Sequence, residues 1–236
     1  MQTRTELHAA QRGETLLIML PPALASIDDF YEQGFVDAVR QRDLPVDLLF
    51  AALTAQHVID KTMVSVLHTE VVQPARSAGY RSIWLAGISM GAFCCLHYAA
   101  QHAALLKGLC LLAPYPGTAD VLTEIRAAGG ATAWCQQPTS ALNERTWWQW
   151  LGHESVKGDW TTPVYFCTGS GDRFLGGQRL LSDLLPDDRI RVLPGNHQWP
   201  TWTALWEDWL DYGPLAWGHP NTLRNQLSNS GGSAAL

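Results

Sequence analysis

Three side chains in this sequence, Ser89, Asp172 and His197, are of the types that together activate an oxygen nucleophile. A serine hydroxyl attacks a carbonyl only when a base takes its proton, an acid orients the base and donors meet the developing oxyanion. Ser89 lies in Gly87-Ile88-Ser89-Met90-Gly91. Residues 82–86 before it read as a buried strand, and residues 92–100 after it read as a helix. A G-x-S-x-G pentapeptide in that setting describes a nucleophile elbow, a strained turn that exposes the serine above the sheet edge. The two glycines leave room where a β-carbon would crowd the neighbouring strand and helix.

Asp172 sits in Gly169-Ser170-Gly171-Asp172-Arg173-Phe174, directly after the apolar run 164–168, and is the candidate acid. His197 ends Pro194-Gly195-Asn196-His197, directly after the run 189–193, and is the candidate base. Each has an ordinary reading as well, as a turn former or helix cap for the aspartate and as a surface or core filler for the histidine. Asp120 and His153 are the runners-up, and His219 in the tail is a poor candidate. For the oxyanion, one donor is expected from the backbone of Met90, the residue after the nucleophile. The second is expected from the loop after residues 15–20, where Pro21 and Pro22 have no N–H to give. Ala23 is the first residue there that can donate, and Leu24 is the alternative.

The elements that must position these residues follow from the apolar pattern. Runs at 15–20, 46–50, 82–86, 107–113, 164–168 and 189–193 have strand length, and a short edge strand is expected near 5–9. Helical spacing is expected from Ser26 to about Arg42, and from His57 to Ser77 with Ile59, Met63, Val66 and Leu67 as its buried stripe. Further helices are expected over 175–185 and 200–211, the last with Trp202, Leu205, Trp206 and Trp209 on one face. Strands alternating with helices imply a mainly parallel sheet covered on both faces, with the site beyond the carboxyl ends of the strands. Residues 114–162 break this rhythm and carry Trp134, Trp147, Trp148, Trp150 and Trp160.

Composition bounds the function. The 236 residues suffice for one α/β domain, taken as residues 1–218, with 114–162 as an insertion and 219–236 as a disordered tail of low apolar content. A net charge of -6 and no basic stripe argue against nucleic acid as a partner. No apolar stretch is long enough to span a membrane. The run 16–20 followed by Ala23-Leu24-Ala25-Ser26 has a superficial likeness to a secretion signal, but Glu14 and Pro21-Pro22 interrupt it and a strand explains it better. Five cysteines, an odd number without metal-ligand spacing, point to reduced thiols and a cytoplasmic setting. No glycine-rich dinucleotide fingerprint and no ligand cluster is present, so no cofactor and no metal are expected.

With its elbow, its acid turn 169–172 and its base turn 194–197, the chain resembles the α/β-hydrolase fold superfamily over roughly residues 14–211. The order Ser, Asp, His agrees with that resemblance. It implies an α/β fold with a mainly parallel sheet flanked by helices on both faces, in a compact version with one or both leading antiparallel strands missing and a short Trp-rich cap over 114–162. It further implies a cofactor-independent serine hydrolase acting through an acyl-enzyme on Ser89. Pro21-Pro22 stands where many members have His-Gly, so the oxyanion loop is expected to differ in shape. Leu24, Trp147, Trp148 and Phe174 are the expected substrate contacts, favouring a small ester or thioester with an apolar acyl or aromatic group. The tryptophans could equally fasten the insertion to the core. Acyl transfer, amide cleavage and ligand binding without catalysis are the rival readings.

Overall fold

The computed structural model describes residues 1–136 and 143–215. The expected tail 219–236, His219 and residues 216–218 of the expected domain lie outside the described residues.

The elements run β1 (Thr3–Glu6), β2 (Thr15–Leu20), α1 (Ile27–Glu32), α2 (Phe35–Gln41), β3 (Val46–Ala51), α3 (Ala55–Ile59), α4 (Met63–Leu67) and α5 (Gln73–Ser77). They continue with β4 (Ser82–Ile88), α6 (Met90–His102), β5 (Gly108–Leu112), α7 (Ala119–Ala127), α8 (Ala131–Cys135) and α9 (Glu144–Lys157). The chain closes with β6 (Val164–Gly169), α10 (Leu175–Ser182), β7 (Ile190–Leu193) and α11 (Trp199–Tyr212).

The strands form one seven-stranded sheet in the order β1-β3-β2-β4-β5-β6-β7. β1 pairs antiparallel with β3, and every other pairing is parallel. One leading antiparallel strand is therefore present, placed at Thr3–Glu6 where residues 5–9 were expected.

Because both faces are covered, the inner strands are apolar at nearly every position rather than at alternate ones. In β2, Leu16, Ile18 and Leu20 pack with α4, α5 and α6, while Leu17 and Met19 pack with α1, α2 and α11. The sheet's one deeply buried charge is Asp47 on β3, which accepts from the amides of His8 and Gly13 and from the Tyr80 hydroxyl, each at 2.8 Å. The two amide bonds tie the N-terminal segment to the sheet, the Tyr80 bond ties in the chain just ahead of β4, and a buried carboxylate requires such partners. Among the described residues, no helix is long and apolar enough to cross a membrane.

Two expected helices are divided. The helix from Ser26 to Arg42 breaks at Gly34, whose φ of +77° is open to glycine and ends α1. The helix from His57 to Ser77 breaks at Lys61, with φ of +57°, so α3 stands apart and Ile59 is 70% exposed rather than part of the buried stripe. Met63 and Leu67 are buried as expected. Between α4 and α5 the backbone widens into a π-helical turn over His68–Val72, just before Pro74. That proline has no N–H to continue the regular ladder.

Candidate active site

Ser89 joins β4 to α6 with φ of +52° and ψ of −108°, a conformation that costs a non-glycine residue energy and must be held by its surroundings. Its amide donates to the Leu112 carbonyl at 2.9 Å, and its own carbonyl accepts from the amides of Phe93 and Tyr115 at 3.1 Å. The turn is thus fixed to the end of β5 and to the first turn of α6. Gly87 and Gly91 clear the space: a β-carbon on Gly87 would stand 2.5 Å from the Ala92 nitrogen, and one on Gly91 2.8 Å from the Pro21 oxygen. Both distances are shorter than packed carbon atoms tolerate.

The turns that carry Asp172 and His197 lie side by side at the ends of β6 and β7. The Ser170 amide donates to the Leu193 carbonyl and the Gly171 amide to the Gly195 carbonyl, both at 2.8 Å. His197 Nε2 lies 2.9 Å from Ser89 Oγ, and its Nδ1 lies 2.7 Å from Asp172 Oδ2. The other oxygen of Asp172 accepts from the Phe174 amide at 2.8 Å. Asp172 and Ser89 are buried, at 5% and 8% exposure. Burial pushes the Asp172 carboxyl up, but hydrogen bonds from His197 and the Phe174 amide outweigh it and hold the group below the ordinary aspartate range. The imidazole is set in place by Phe174 and Trp202, whose rings meet it edge-on at 4.9 and 5.1 Å.

The other expected site residues divide. Met90 opens α6, so its amide is one of the unpaired N–H groups at a helix start, where negative charge is favoured. Leu20 and Pro21 lie directly against Gly91, which brings the loop after β2 to the same helix start. Ala23 is exposed on that loop, and Leu24 is fully exposed with φ of +66°. Phe174 also packs against Tyr115 at 5.3 Å. Trp147 and Trp148 are corrected as substrate contacts: both are wholly buried, stacked on one another at 4.7 Å, and Trp148 Nε1 donates to the Pro116 carbonyl at 3.1 Å. They fasten α9 to the core and present no face to a ligand. Asp120 is engaged by Arg145 at 3.1 Å on the surface, and His153 is exposed on α9, so neither joins Ser89.

Tyr115, Trp202 and Gln178 have parts that the sequence pattern did not reveal. Gln178 is fully buried, accepts from Thr168 at 2.6 Å and donates to the Pro114 carbonyl at 3.0 Å, which fixes β6 to the loop after β5. A lone polar residue inside the apolar face of α10 is the one signal that could have singled it out. Trp202 reads from spacing as core, and only its position five residues after His197 hints otherwise. Among the described residues, no group of histidine, cysteine, aspartate or glutamate side chains is arranged to hold a metal ion.

No protein-family model matches the sequence, and a comparison with curated proteins likewise finds no match. Solved structures do match. A ferulic acid esterase superposes with a TM-score of 0.61 at 14% identity, covering 86% of this chain and 87% of that one. Est1E from Butyrivibrio proteoclasticus gives 0.59 at 15%, covering 88% and 92%. The monoacylglycerol lipase of Paleococcus ferrophilus gives 0.56 at 9%, covering 92% and 97%. At such identities the likeness speaks for architecture, and it agrees with the strand order, the elbow and the helices on both faces. The chain has the α/β-hydrolase fold.

Proposed function

We propose that this protein is a serine hydrolase that cleaves a small carboxylic ester or thioester through an acyl-enzyme on Ser89. The observation that carries the reading is the placement of the His197 ring, with one nitrogen 2.9 Å from the Ser89 hydroxyl and the other 2.7 Å from Asp172. In the proposed reaction, Ser89 Oγ attacks the carbonyl carbon while His197 Nε2 takes the hydroxyl proton. The tetrahedral oxyanion accepts from the amides of Met90 and Ala23. As the intermediate collapses, His197 gives its proton to the departing alcohol or thiol, leaving the acyl group on Ser89. Water, deprotonated by the same imidazole, then attacks the acyl-enzyme, and as the bond to Ser89 Oγ breaks His197 returns that proton to the serine oxygen and the acid leaves. Asp172 keeps the proton on Nδ1 and stabilises the imidazolium that forms in both steps.

An apolar acyl or aromatic group on the substrate is favoured by Phe174 beside the base and by the exposed Leu24. Structural neighbours support the same class: Est1E has been solved with ferulic acid bound, and others bear the names of ester hydrolases. A cytoplasmic setting is part of the proposal, supported by five free and buried cysteines. The test is hydrolysis of aryl and acyl esters and thioesters of graded chain length. The wild-type protein is expected to turn over at least one series, and Ser89→Ala none. Equal turnover by both would refute the reading.

A further inference from the structure

We propose that a second ligand site lies along α6, apart from Ser89, Asp172 and His197, and that it takes an uncharged amphipathic molecule with an aryl or short alkyl body and one hydroxyl or carbonyl group. A cavity of about 740 Å³ opens between α4, α6 and the start of α9. That volume lies within the range of small-molecule sites. Its wall on α6 runs from Phe93 to His102, two and a half turns of helix or about 14 Å. Val58, Met63, Val64 and Phe93 supply apolar surface, and none of the three proposed catalytic residues lines it.

The second observation is His97, in the middle of that wall. The residue is 9% exposed, and its Nε2 has no hydrogen-bond partner among the described residues. A buried ring nitrogen without a partner is unfavourable, and a hydroxyl or carbonyl delivered by a ligand would supply the bond. Burial holds the His97 pKa down at about 4 against the opposing pull of Glu144, so the ring is neutral near pH 7 and suits a neutral partner. Lys61 and Glu144 line the cavity with opposite charges that give no net attraction for an ion, and the His68 and His102 rings, which also line it, stack on one another at 4.2 Å. Phe93, the lining residue of α6 nearest Ser89 in the chain, packs on Tyr115 at 5.6 Å and on Trp147 at 6.3 Å.

The test titrates 4-methylphenol and toluene into the Ser89→Ala protein, by calorimetry and by imidazole nitrogen resonances. 4-Methylphenol is expected to shift the His97 signal and to bind about tenfold more tightly than toluene, the size expected for one hydrogen bond. His97→Leu is expected to remove that tenfold preference. Ser65→Phe, which fills the cavity from an exposed position on α4, is expected to abolish binding while leaving the fold intact. An unmoved His97 signal at millimolar ligand, or binding unaffected by both substitutions, would overturn the proposal, as would a shift confined to His197. Since Ser89 is absent from the titrated protein, the outcome does not depend on whether the chain is a hydrolase.

Discussion

A β-carbon on Gly91 would fall inside contact distance of the Leu20 carbonyl oxygen. The elbow and the loop after β2 are therefore pressed together at a spacing only glycine allows. Gly91→Ala is expected to push that loop away from the Met90 amide, destabilise the fold by about 1–3 kcal/mol as overpacking does, and lower ester turnover. Thermal unfolding and kinetics check both, and an unchanged Tm with unchanged turnover would contradict the close approach.

Asp172→Asn keeps the size of the side chain but offers His197 the wrong hydrogen-bonding partner. Under the proposed roles kcat is expected to fall by about 10⁴ with little change in KM, by analogy with the same substitution in a serine protease triad. The same residue gives a stability test. Its folded carboxyl is depressed, so it contributes stability above its unfolded pKa and loses that contribution as pH falls through the folded value. Acid unfolding is expected to be less steep for Asp172→Asn than for wild type below about pH 4.

His97 predicts a second pH window. The folded ring has a pKa of about 4 because burial disfavours its charged form, against an ordinary 6.5. Between those values the unfolded chain binds more protons, so stability falls as pH drops from 6.5 towards 4, by at most about 3 kcal/mol. Denaturant unfolding at a series of pH values is expected to show this slope in wild type and to lose it in His97→Phe.

Trp148 is fully buried and bonded to Pro116, so Trp148→Ala is expected to cost about 3–5 kcal/mol. Because the ring fastens α9 and faces no ligand, KM for the best ester is expected to change less than about threefold in the folded protein, a small difference on the free-energy scale. A large KM effect with unchanged stability would reverse the assignment.

Much of the sheet was legible because buried parallel strands are nearly continuous apolar runs, as at Leu16–Leu20 and Leu109–Leu112. α11 was legible through the spacing of Trp202, Leu205, Trp206 and Trp209, all buried. Ser89, Asp172 and His197 could be singled out because each directly follows a strand, and the structure brings them within hydrogen-bond reach. Helix breaks were harder to see: Lys61 adopts a positive φ without being glycine, and nothing local announces it. Trp147 and Trp148 misled because spacing cannot tell a tryptophan that packs under an insertion from one that lines a pocket. That His97 Nε2 lacks a partner among the described residues depends on contacts made by several separate helices, which no single stretch of sequence contains.

The central claim, an activated serine at position 89, is tested most directly by treating the purified protein with a fluorophosphonate and reading its intact mass, beside Ser89→Ala. The account predicts one added phosphonyl group on the wild-type chain, located by peptide mapping to Ser89, and none on the variant. No added mass on the wild type, or equal labelling of both proteins, would contradict it.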